Sequence, residues 1–360
     1  MTARRTPASD PTARRTAASE PTASDPAASR TTASDRAALD IQAYRLRLPG
    51  TARPVLAGVD LTVAAGETVA LVGESGSGKS LTSRSVLGLL PEGATTEGAV
   101  RVGGEDVLTM TPDRLRRLRT GTAAMIFQDP RAAINPMRRL GDFLTESVRL
   151  NGGLTAAAAT TRATEMLDAV GLPATVLDRY PGQVSGGMLQ RVMIAAALMG
   201  DPTIVLADEP TTALDVTTQA EVIALLGELQ ERFGTALLFV THDLGLAAAI
   251  SDRVCVMYAG RIVETGPAEA LFERPRHPYT AALLASTPRL EAPGSRLAAI
   301  EGRPPSLRDE VTGCPFAPRC PLATFLCTQQ EPALLPVEAE PARRAACHHS
   351  DRTGEESADA

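Results

Sequence analysis

A glycine-rich loop set between a strand and a helix is the feature that most constrains what this chain can fold into. Residues 66–75 are typical of a short apolar strand that runs into glycine, and residues 80–90 are typical of the helix that follows. The turn between them carries Gly73, Gly78 and Lys79, which is the only lysine among 36 basic residues in a chain of 360. A strand, a glycine loop and a helix in this order indicate an α/β fold organised around the loop.

The chemistry of this loop is suited to binding phosphate. Glycines let successive backbone N–H groups point inward around an anion, and the N-terminus of the helix adds a favourable dipole. A slim, flexible ammonium such as Lys79 can reach the terminal phosphates of a nucleotide, where a planar guanidinium fits less well. The hydroxyl of Ser80 would bind Mg²⁺. The predicted phosphate site comprises Gly73, Glu74, Ser75, Gly76, Ser77, Gly78, Lys79, Ser80 and Leu81.

Further alternation of strands and helices predicts a parallel sheet that is covered on both faces. Residues 202–210 and 235–243 are apolar strands that end in polar residues, and residues 221–233 have helical spacing. Polar residues at the carboxyl ends of parallel strands meet along one edge, where such sheets bind ligands. Asp208 and Glu209 end the first of these strands. We expect Asp208 to bind the Mg²⁺ that accompanies the nucleotide, and Glu209 to act as general base on the water that attacks its terminal phosphate.

The bulk composition excludes several classes of protein. A net charge of −6 and a pI near 5.4 give no overall attraction to nucleic acid or to an anionic membrane. No apolar stretch approaches the ~18 residues needed to span a bilayer, and the polar N-terminus lacks the apolar region of a secretory signal. The sequence therefore predicts a cytosolic protein that meets membranes only through partners.

Composition also divides the chain into segments. Residues 1–37 repeat small polar motifs without apolar periodicity, which predicts a disordered tail, and residues 351–360 are expected to form a second flexible tail. Residues 129–191 carry helix and loop signals without the strand pattern, so we interpret them as an insert. Residues 265–350 are rich in proline and less regular.

Five cysteines are present. Cys255 lies in an apolar run and is expected to be a core residue, whereas Cys314, Cys320, Cys327 and Cys347 cluster near the C-terminus. In a reducing compartment, four clustered cysteines are candidate metal ligands rather than disulfide partners.

Five motifs together resemble the ATPase subunits of ABC transporters. They are the glycine loop, FQDP at 127–130, VSGGMLQR at 184–191, ADEPTTALD at 207–215 and THD at 241–243. The resemblance covers residues 39 to about 264, and the motifs occur in the order and spacing of that family. It implies an ABC-type P-loop NTPase fold over 38–264, with a parallel core sheet, a small antiparallel β subdomain and the helical insert.

The resemblance implies a role for each motif. Gln128 links Mg²⁺ and water to the surface that couples to the membrane subunits, and His242 contacts the γ-phosphate. Asp215 belongs to the D-loop. A signature holds the γ-phosphate of ATP bound to the other subunit, and it consists of Ser185, Gly186 and Gly187.

Two features depart from the general pattern of the family. Val184 and Met188 stand where the signature usually has Leu and Gln, and Met at this point is similar to the peptide-importer branch. Leu48 stands where the family tends to place an aromatic residue against adenine. Tyr44 is close, but the strand periodicity does not align it, so no adenine-stacking residue is assigned.

The C-terminal part resembles the extension of oligopeptide and dipeptide importers. The stretch 260–288 is similar to the start of that extension, and 313–327 continues it. In that family the four clustered cysteines are associated with a [4Fe–4S] cluster. Tetrahedral zinc, with His348 or His349 replacing one thiolate, is the alternative, and free thiols are a third.

The function implied by the resemblance is ATP hydrolysis that energises import of oligopeptides or dipeptides. The implied partners are a second ABC ATPase subunit, commonly a paralogue, two transmembrane permease subunits and an extracytoplasmic solute-binding protein, with no nucleic acid. Such a subunit acts at the cytoplasmic face of the cell membrane. Three alternatives stay open: an ATPase for nickel or another small solute, a soluble ABC ATPase that acts on DNA or ribosomes, and a nucleotide-binding scaffold without turnover.

Overall fold

The computed structural model describes residues 37–286 and 299–353, apart from residues 213, 339 and 352. Nearly all of the two tails expected at 1–37 and 351–360 therefore lies outside the described residues. The strands are β1 (Ala37–Arg47), β2 (Leu56–Ala64), β3 (Thr68–Val72), β4 (Thr95–Val102), β5 (Glu105–Asp106), β6 (Ala123–Ile126), β7 (Ile204–Asp208), β8 (Ala236–Thr241), β9 (Arg253–Tyr258), β10 (Arg261–Pro267), β11 (Leu335–Val337) and β12 (Glu340–Ala345).

The helices follow the alternation that the sequence predicts. They are α1 (Lys79–Val86), α2 (Pro112–Gly121), α3 (Pro130–Ala133), α4 (Leu140–Leu150), α5 (Ala156–Ala169), α6 (Gly186–Leu198), α7 (Val216–Phe233), α8 (Leu244–Ile250), α9 (Ala268–Glu273), α10 (Pro278–Ala285) and α11 (Phe325–Gln329). None of these helices is both long and apolar enough to cross a membrane.

The main sheet has parallel strands at its centre. Its order in the described chain is β11-β12-β10-β9-β3-β8-β7-β6, and the neighbours from β9 to β6 run parallel. Every residue of β3, β7 and β8 is buried, as expected for strands covered on both faces. Alternate residues of β3 point into two cores, with Ala70 and Val72 on one face and Val69 and Leu71 on the other. The predicted α/β fold with a parallel core sheet is confirmed.

A second, antiparallel sheet covers one of these cores. Its order is β2-β1-β4-β5, and β2 alternates buried and exposed residues as a sheet with one wet face does. Tyr44 is fully buried in this sheet, and its hydroxyl donates a hydrogen bond to Ser85 Oγ at 2.9 Å. The small antiparallel subdomain predicted from the resemblance is confirmed. Tyr44 is a core residue and is not free to stack on a base.

The insert packs as a group of helices on the other core. Helices α4, α5 and α6 contact one another, and α6 also packs on β6. Their buried residues, such as Leu144, Met166 and Val192, join the core that lines the main sheet. Helix α6 begins inside the predicted insert and continues to Leu198, so the signature at its start is carried on a rigid helix that is anchored to the sheet.

The C-terminal extension is more regular than its sequence suggests. Strand β12 pairs with β10 and with β11, which adds two strands to the edge of the main sheet. Strand β10 runs through residue 264, where the sequence places the end of the ATPase domain. Short strands with Pro and Ala carry a weak period-two signal, so their pairing depends on the sheet edge that receives them.

An ion pair buried at this edge is expected to stabilise the extension. Arg343 Nη2 lies 2.9 Å from Glu264 Oε1, and the two side chains are 2% and 0% exposed. Arg343→Ala leaves the Glu264 carboxylate buried without its partner, so we expect the free energy of unfolding to fall by about 3–5 kcal/mol. Denaturant unfolding measures this. Arg344→Ala, at the exposed neighbouring position, is the control. An equal loss in both variants would contradict the prediction.

Candidate nucleotide site

At two glycines the loop lies so close to neighbouring residues that no side chain would fit. Gly73 follows β3 with φ +152°, and a Cβ there would lie 2.2 Å from Met257 O. Gly78 has φ +111°, and its Cβ would lie 2.6 Å from Leu56 Cδ2. These two glycines allow the loop to pack against the sheet and to lead directly into α1.

Lys79 is the first residue of α1, and it is buried within the loop. Its Nζ donates hydrogen bonds to Gly73 O at 2.7 Å and to Glu74 O at 3.0 Å. Burial lowers the pKa of Lys79, while the nearby carboxylates of Glu209, Asp208 and Glu74 oppose that shift. The ammonium is therefore held on the loop itself and surrounded by negative charge.

Ser80 and Asp208 meet at the edge of the sheet. Ser80 Oγ donates a hydrogen bond to Asp208 Oδ1 at 2.7 Å, although the two residues are 128 positions apart. Asp208 ends β7 and is 2% exposed. Burial raises the pKa of Asp208, and the hydrogen bond from Ser80 opposes this. The two oxygens give a hard cation the ligands that Mg²⁺ prefers.

Glu209 is oriented by three side chains. Its Oε2 accepts hydrogen bonds from Gln128 Nε2 and from Thr212 Oγ1, each at 3.1 Å. His242 Nδ1 lies 3.3 Å from Glu209 Oε1. Glu209 has φ +48°, a left-handed conformation that non-glycine residues rarely adopt and that is common at functional sites. The structure thus brings Gln128, Glu209 and His242 together, and it adds Thr212, which the sequence analysis did not select although it lies in ADEPTTALD.

Comparison with known proteins identifies the family. Residues 56–212 match the ABC transporter family, and residues 263–327 match the family described as oligopeptide/dipeptide transporter, C-terminal region. The oligopeptide transport ATP-binding protein OppD of Salmonella typhimurium is 45% identical over 292 residues, which cover 80% of this chain and 86% of that protein. The chain belongs to the ABC transporter ATPases.

Two further comparisons agree with this ABC ATPase assignment. The probable peptide ABC transporter ATP-binding protein y4tR of Sinorhizobium fredii is 46% identical over 301 residues, covering 82% of this chain and 89% of that protein. A solved structure described as a dimeric post-hydrolysis state of the ATP-binding cassette MJ0796, bound to ADP and Pi, matches with a TM-score of 0.57 and 28% identity. It covers 64% of this chain and 98% of that one. The predicted P-loop NTPase fold and ATPase activity are confirmed.

The signature of this ABC ATPase packs against the start of α7. Ser185 is the N-cap of α6, and its Oγ accepts a hydrogen bond from Met188 N at 3.2 Å. A Cβ on Gly187 would lie 2.9 Å from Thr218 Cγ2, so the signature packs against the start of α7. Within the described residues, no hydrogen bond or ion pair joins Ser185, Gly186 or Gly187 to residues 73–81.

Asp215, which the resemblance places in the D-loop, has a local structural role in the described fold. It is the N-cap of α7 and accepts hydrogen bonds from Thr218 N at 3.0 Å and from Thr218 Oγ1 at 2.7 Å. The hydrogen bond from the Thr218 backbone lowers the pKa of Asp215. As an N-cap, this carboxylate satisfies a backbone N–H at the start of α7.

The four clustered cysteines of the extension share one cavity. Its lining includes Cys314, Cys320, Cys327, Cys347, His348 and His349. All four cysteines are free thiols, and Cys255 is buried in the core as expected. In the described ranges, however, no group of three or more His, Cys, Asp or Glu side chains is arranged to hold a metal ion.

The protonation of these thiols depends on their burial. Burial raises the pKa of Cys320 to about 11 and that of Cys347 to about 12, and it also raises the pKa of Cys314. Neighbouring cysteines contribute to each of these shifts in the same direction. With these raised pKa values, Cys314, Cys320 and Cys347 carry their protons at neutral pH when nothing cationic is bound.

Proposed function

We propose that this ABC ATPase energises the import of oligopeptides or dipeptides through a membrane transporter. The observation that carries this proposal is the continuity of the ABC transporter region with a C-terminal region that matches oligopeptide/dipeptide transporters. The relatives that match over most of their own length are described as oligopeptide and peptide transport ATP-binding proteins. Nothing in an ATPase subunit reads the transported solute directly, so the C-terminal region is the feature that favours peptides.

The geometry of the nucleotide site supports separate roles for the residues that bind phosphate, bind Mg²⁺ and activate water. Lys79 and the loop N–H groups bind the terminal phosphates of ATP, because a glycine loop at a helix N-terminus directs backbone N–H groups toward an anion. Mg²⁺, held by Ser80, Asp208 and Gln128, would neutralise charge on those phosphates. Glu209 accepts a proton from the attacking water. Gln128 and His242, together with Thr212, fix the orientation of that carboxylate.

Two ATPase subunits are needed to complete each site. Ser185 caps its own helix, and in the described part of the chain no hydrogen bond joins it to the phosphate loop, which leaves the signature available to a second subunit. The related cassette MJ0796 is described as dimeric. We propose a head-to-tail pair in which Ser185, Gly186 and Gly187 of one subunit contact the γ-phosphate bound by the other, with Asp215 near the contact.

The remaining partners follow from the transport function. We propose that the second ATPase is a paralogue, and that the pair works with two transmembrane permease subunits and an extracytoplasmic solute-binding protein at the cytoplasmic face of the membrane. Nucleic acid is not a partner of this acidic chain, whose net charge is −6.

Reconstitution tests the proposal directly. The tagged full-length chain is purified from detergent extracts with its co-purifying subunits and placed in vesicles, and uptake of a radiolabelled oligopeptide is compared with uptake of Ni²⁺. We expect ATP-dependent peptide uptake that is lost with Glu209→Gln. Uptake of Ni²⁺ instead of peptide, or purification with DNA or ribosomes, would contradict it.

We also propose that the four cysteines of the extension bind a [4Fe–4S] cluster. Four free thiols line one cavity and equal in number the ligands of such a cluster, and His349 N donates a hydrogen bond to Cys347 Sγ at 3.3 Å. Because the described side chains are not arranged to hold a metal ion, the thiols would have to rearrange around the cluster. The cluster would supply a structural crosslink in the extension. Zinc held by cysteine and by His348 or His349 is the competing occupant.

Analysis of the purified protein distinguishes the two occupants. Anaerobically purified chain is expected to be brown and to contain iron and sulfide in equal amounts, and Cys320→Ser is expected to remove most of both. Cys255→Ser, at the buried cysteine of the core, is the control and should keep them. A colourless protein with stoichiometric zinc, or with no metal at all, would reject the cluster.

A further inference from the structure

The second residue of the phosphate loop is held by the C-terminal extension. Arg319 Nη1 and Nη2 lie 2.9 Å from the two carboxylate oxygens of Glu74, in a two-pronged ion pair that joins residues 245 positions apart. The Arg319 side chain is 4% exposed and that of Glu74 is 24% exposed. Such bidentate, largely buried pairs are among the strongest and most directional polar contacts in proteins.

The backbone of Glu74 is fixed at the same time. Its N–H donates a hydrogen bond to the hydroxyl oxygen of Tyr279 at 2.8 Å, and its carbonyl accepts one from Lys79 Nζ at 3.0 Å. Tyr279 lies in α10 of the extension and is fully buried. The extension therefore holds Glu74 through its side chain and its N–H, while Lys79 holds its carbonyl.

Arg319 is itself held firmly in place. Its guanidinium carbon lies 5.8 Å from the ring centres of both Tyr258 and Phe316, and its Nε donates to Glu301 O at 3.0 Å. The hydrogen bond to Glu74 raises the pKa of Arg319, so the residue stays charged. Arg319 directly precedes Cys320, so the fold of the cysteine segment sets its position.

We propose that Arg319 and Tyr279 are positioning residues for ATP binding: they keep the Glu74 peptide in the orientation that the phosphate loop needs. A loop whose N–H groups are fixed before the nucleotide arrives loses less conformational entropy when the nucleotide binds. Because the loop holds the phosphates in both the ground state and the transition state, this contribution affects KM and not kcat. The C-terminal extension thereby sets the nucleotide affinity of the ATPase.

Equilibrium binding to the full-length chain tests this proposal. With Arg319→Gln we expect the Kd for MgADP, measured by calorimetry, to rise about tenfold, and the KM for ATP of the reconstituted complex to rise similarly while kcat changes by less than about twofold. Arg319→Lys restores part of the affinity, since it keeps the positive charge but cannot bond to both carboxylate oxygens of Glu74 as the guanidinium does. Glu74→Gln gives a similar rise. The double variant adds little to either single change, because both remove the same contact.

Arg261 provides a control that distinguishes positioning of the phosphate loop from simple attachment of the extension. Arg261 also joins the ATPase region to the extension, through Glu331 at 2.6 Å, and within the described residues no hydrogen bond or ion pair joins it to residues 73–81. We expect Arg261→Gln to lower thermal stability and leave the Kd for MgADP unchanged. Equal Kd values for Arg319→Gln and wild type, additive effects of Arg319→Gln and Glu74→Gln, or a fall in kcat at unchanged KM would each overturn the proposal. Should Arg319→Gln fail to fold, Glu74→Gln and Tyr279→Phe, which leave Arg319 in place, supply the same comparison.

Discussion

Glu209→Gln is expected to bind ATP and to hydrolyse it about 10²–10⁴ times more slowly than the wild type, the range usual for loss of a general base. Gln has the shape of Glu, so the hydrogen-bond donors Gln128 and Thr212 still have an oxygen to bind. A neutral amide cannot take a proton from water. The variant should therefore keep its nucleotide and lose the chemical step.

Single-turnover phosphate release measures the rate of this variant, and size-exclusion chromatography with ATP measures its association. In the head-to-tail pair proposed above, opening would follow hydrolysis, so we expect ATP-loaded pairs of the variant with its partner ATPase to accumulate. Glu221→Gln provides the control, since Glu221 is an exposed acid on α7 that pairs with Arg191 on α6. Wild-type turnover by Glu209→Gln would show that another group is the base.

Lys79→Ala is expected to weaken nucleotide binding by about a hundredfold or more, which corresponds to ~2.7 kcal/mol. The Lys79 ammonium is buried among the carboxylates of Glu74, Asp208 and Glu209, and no other lysine exists in the chain to replace it. Without its charge, the negative field of these groups opposes the phosphates of ATP. Binding of MgATP to the full-length chain, followed by calorimetry, gives the loss.

A second substitution tests whether charge alone is sufficient. Lys79→Arg keeps the positive charge, but its broad guanidinium does not fit where Lys79 Nζ lies, between Gly73 O and Glu74 O. We expect its affinity to remain closer to that of Lys79→Ala than to the wild type. Thermal unfolding without nucleotide checks that both variants fold. Binding of MgATP to folded Lys79→Ala with unchanged affinity would contradict the assignment of the lysine.

The sequence predicted the parts of the site that depend on short stretches of chain. The phosphate loop, the acidic end of β7 and the signature at the start of α6 are each written within about ten residues, and their chemistry follows from glycine geometry, strand ends and helix caps. The alternation of strands and helices predicted the parallel sheet, and five motifs in their order and spacing indicated the family. Strands β11 and β12 were not predicted, because short segments with Pro and Ala have little periodicity of their own.

The four clustered cysteines were predicted only in part from the sequence. Their number and clustering indicated a common site, and the structure does gather them around one cavity, yet spacing along the chain did not distinguish a [4Fe–4S] cluster from zinc or from free thiols. Arg319 had no signal at all apart from its place between two of these cysteines. Its role depends on a contact with Glu74 that only the packing of the extension creates.

The amino-acid sequence by itself determined the local chemistry of this protein: which residues can cradle phosphate, which carboxylates end a strand, and where helices begin. Tertiary structure alone decided that Ser80 meets Asp208 across 128 residues and that Arg319 meets Glu74 across 245. The physical reason is that backbone geometry is set by neighbours along the chain, whereas long-range contacts form only when burial of the core brings distant segments to the same edge of a sheet.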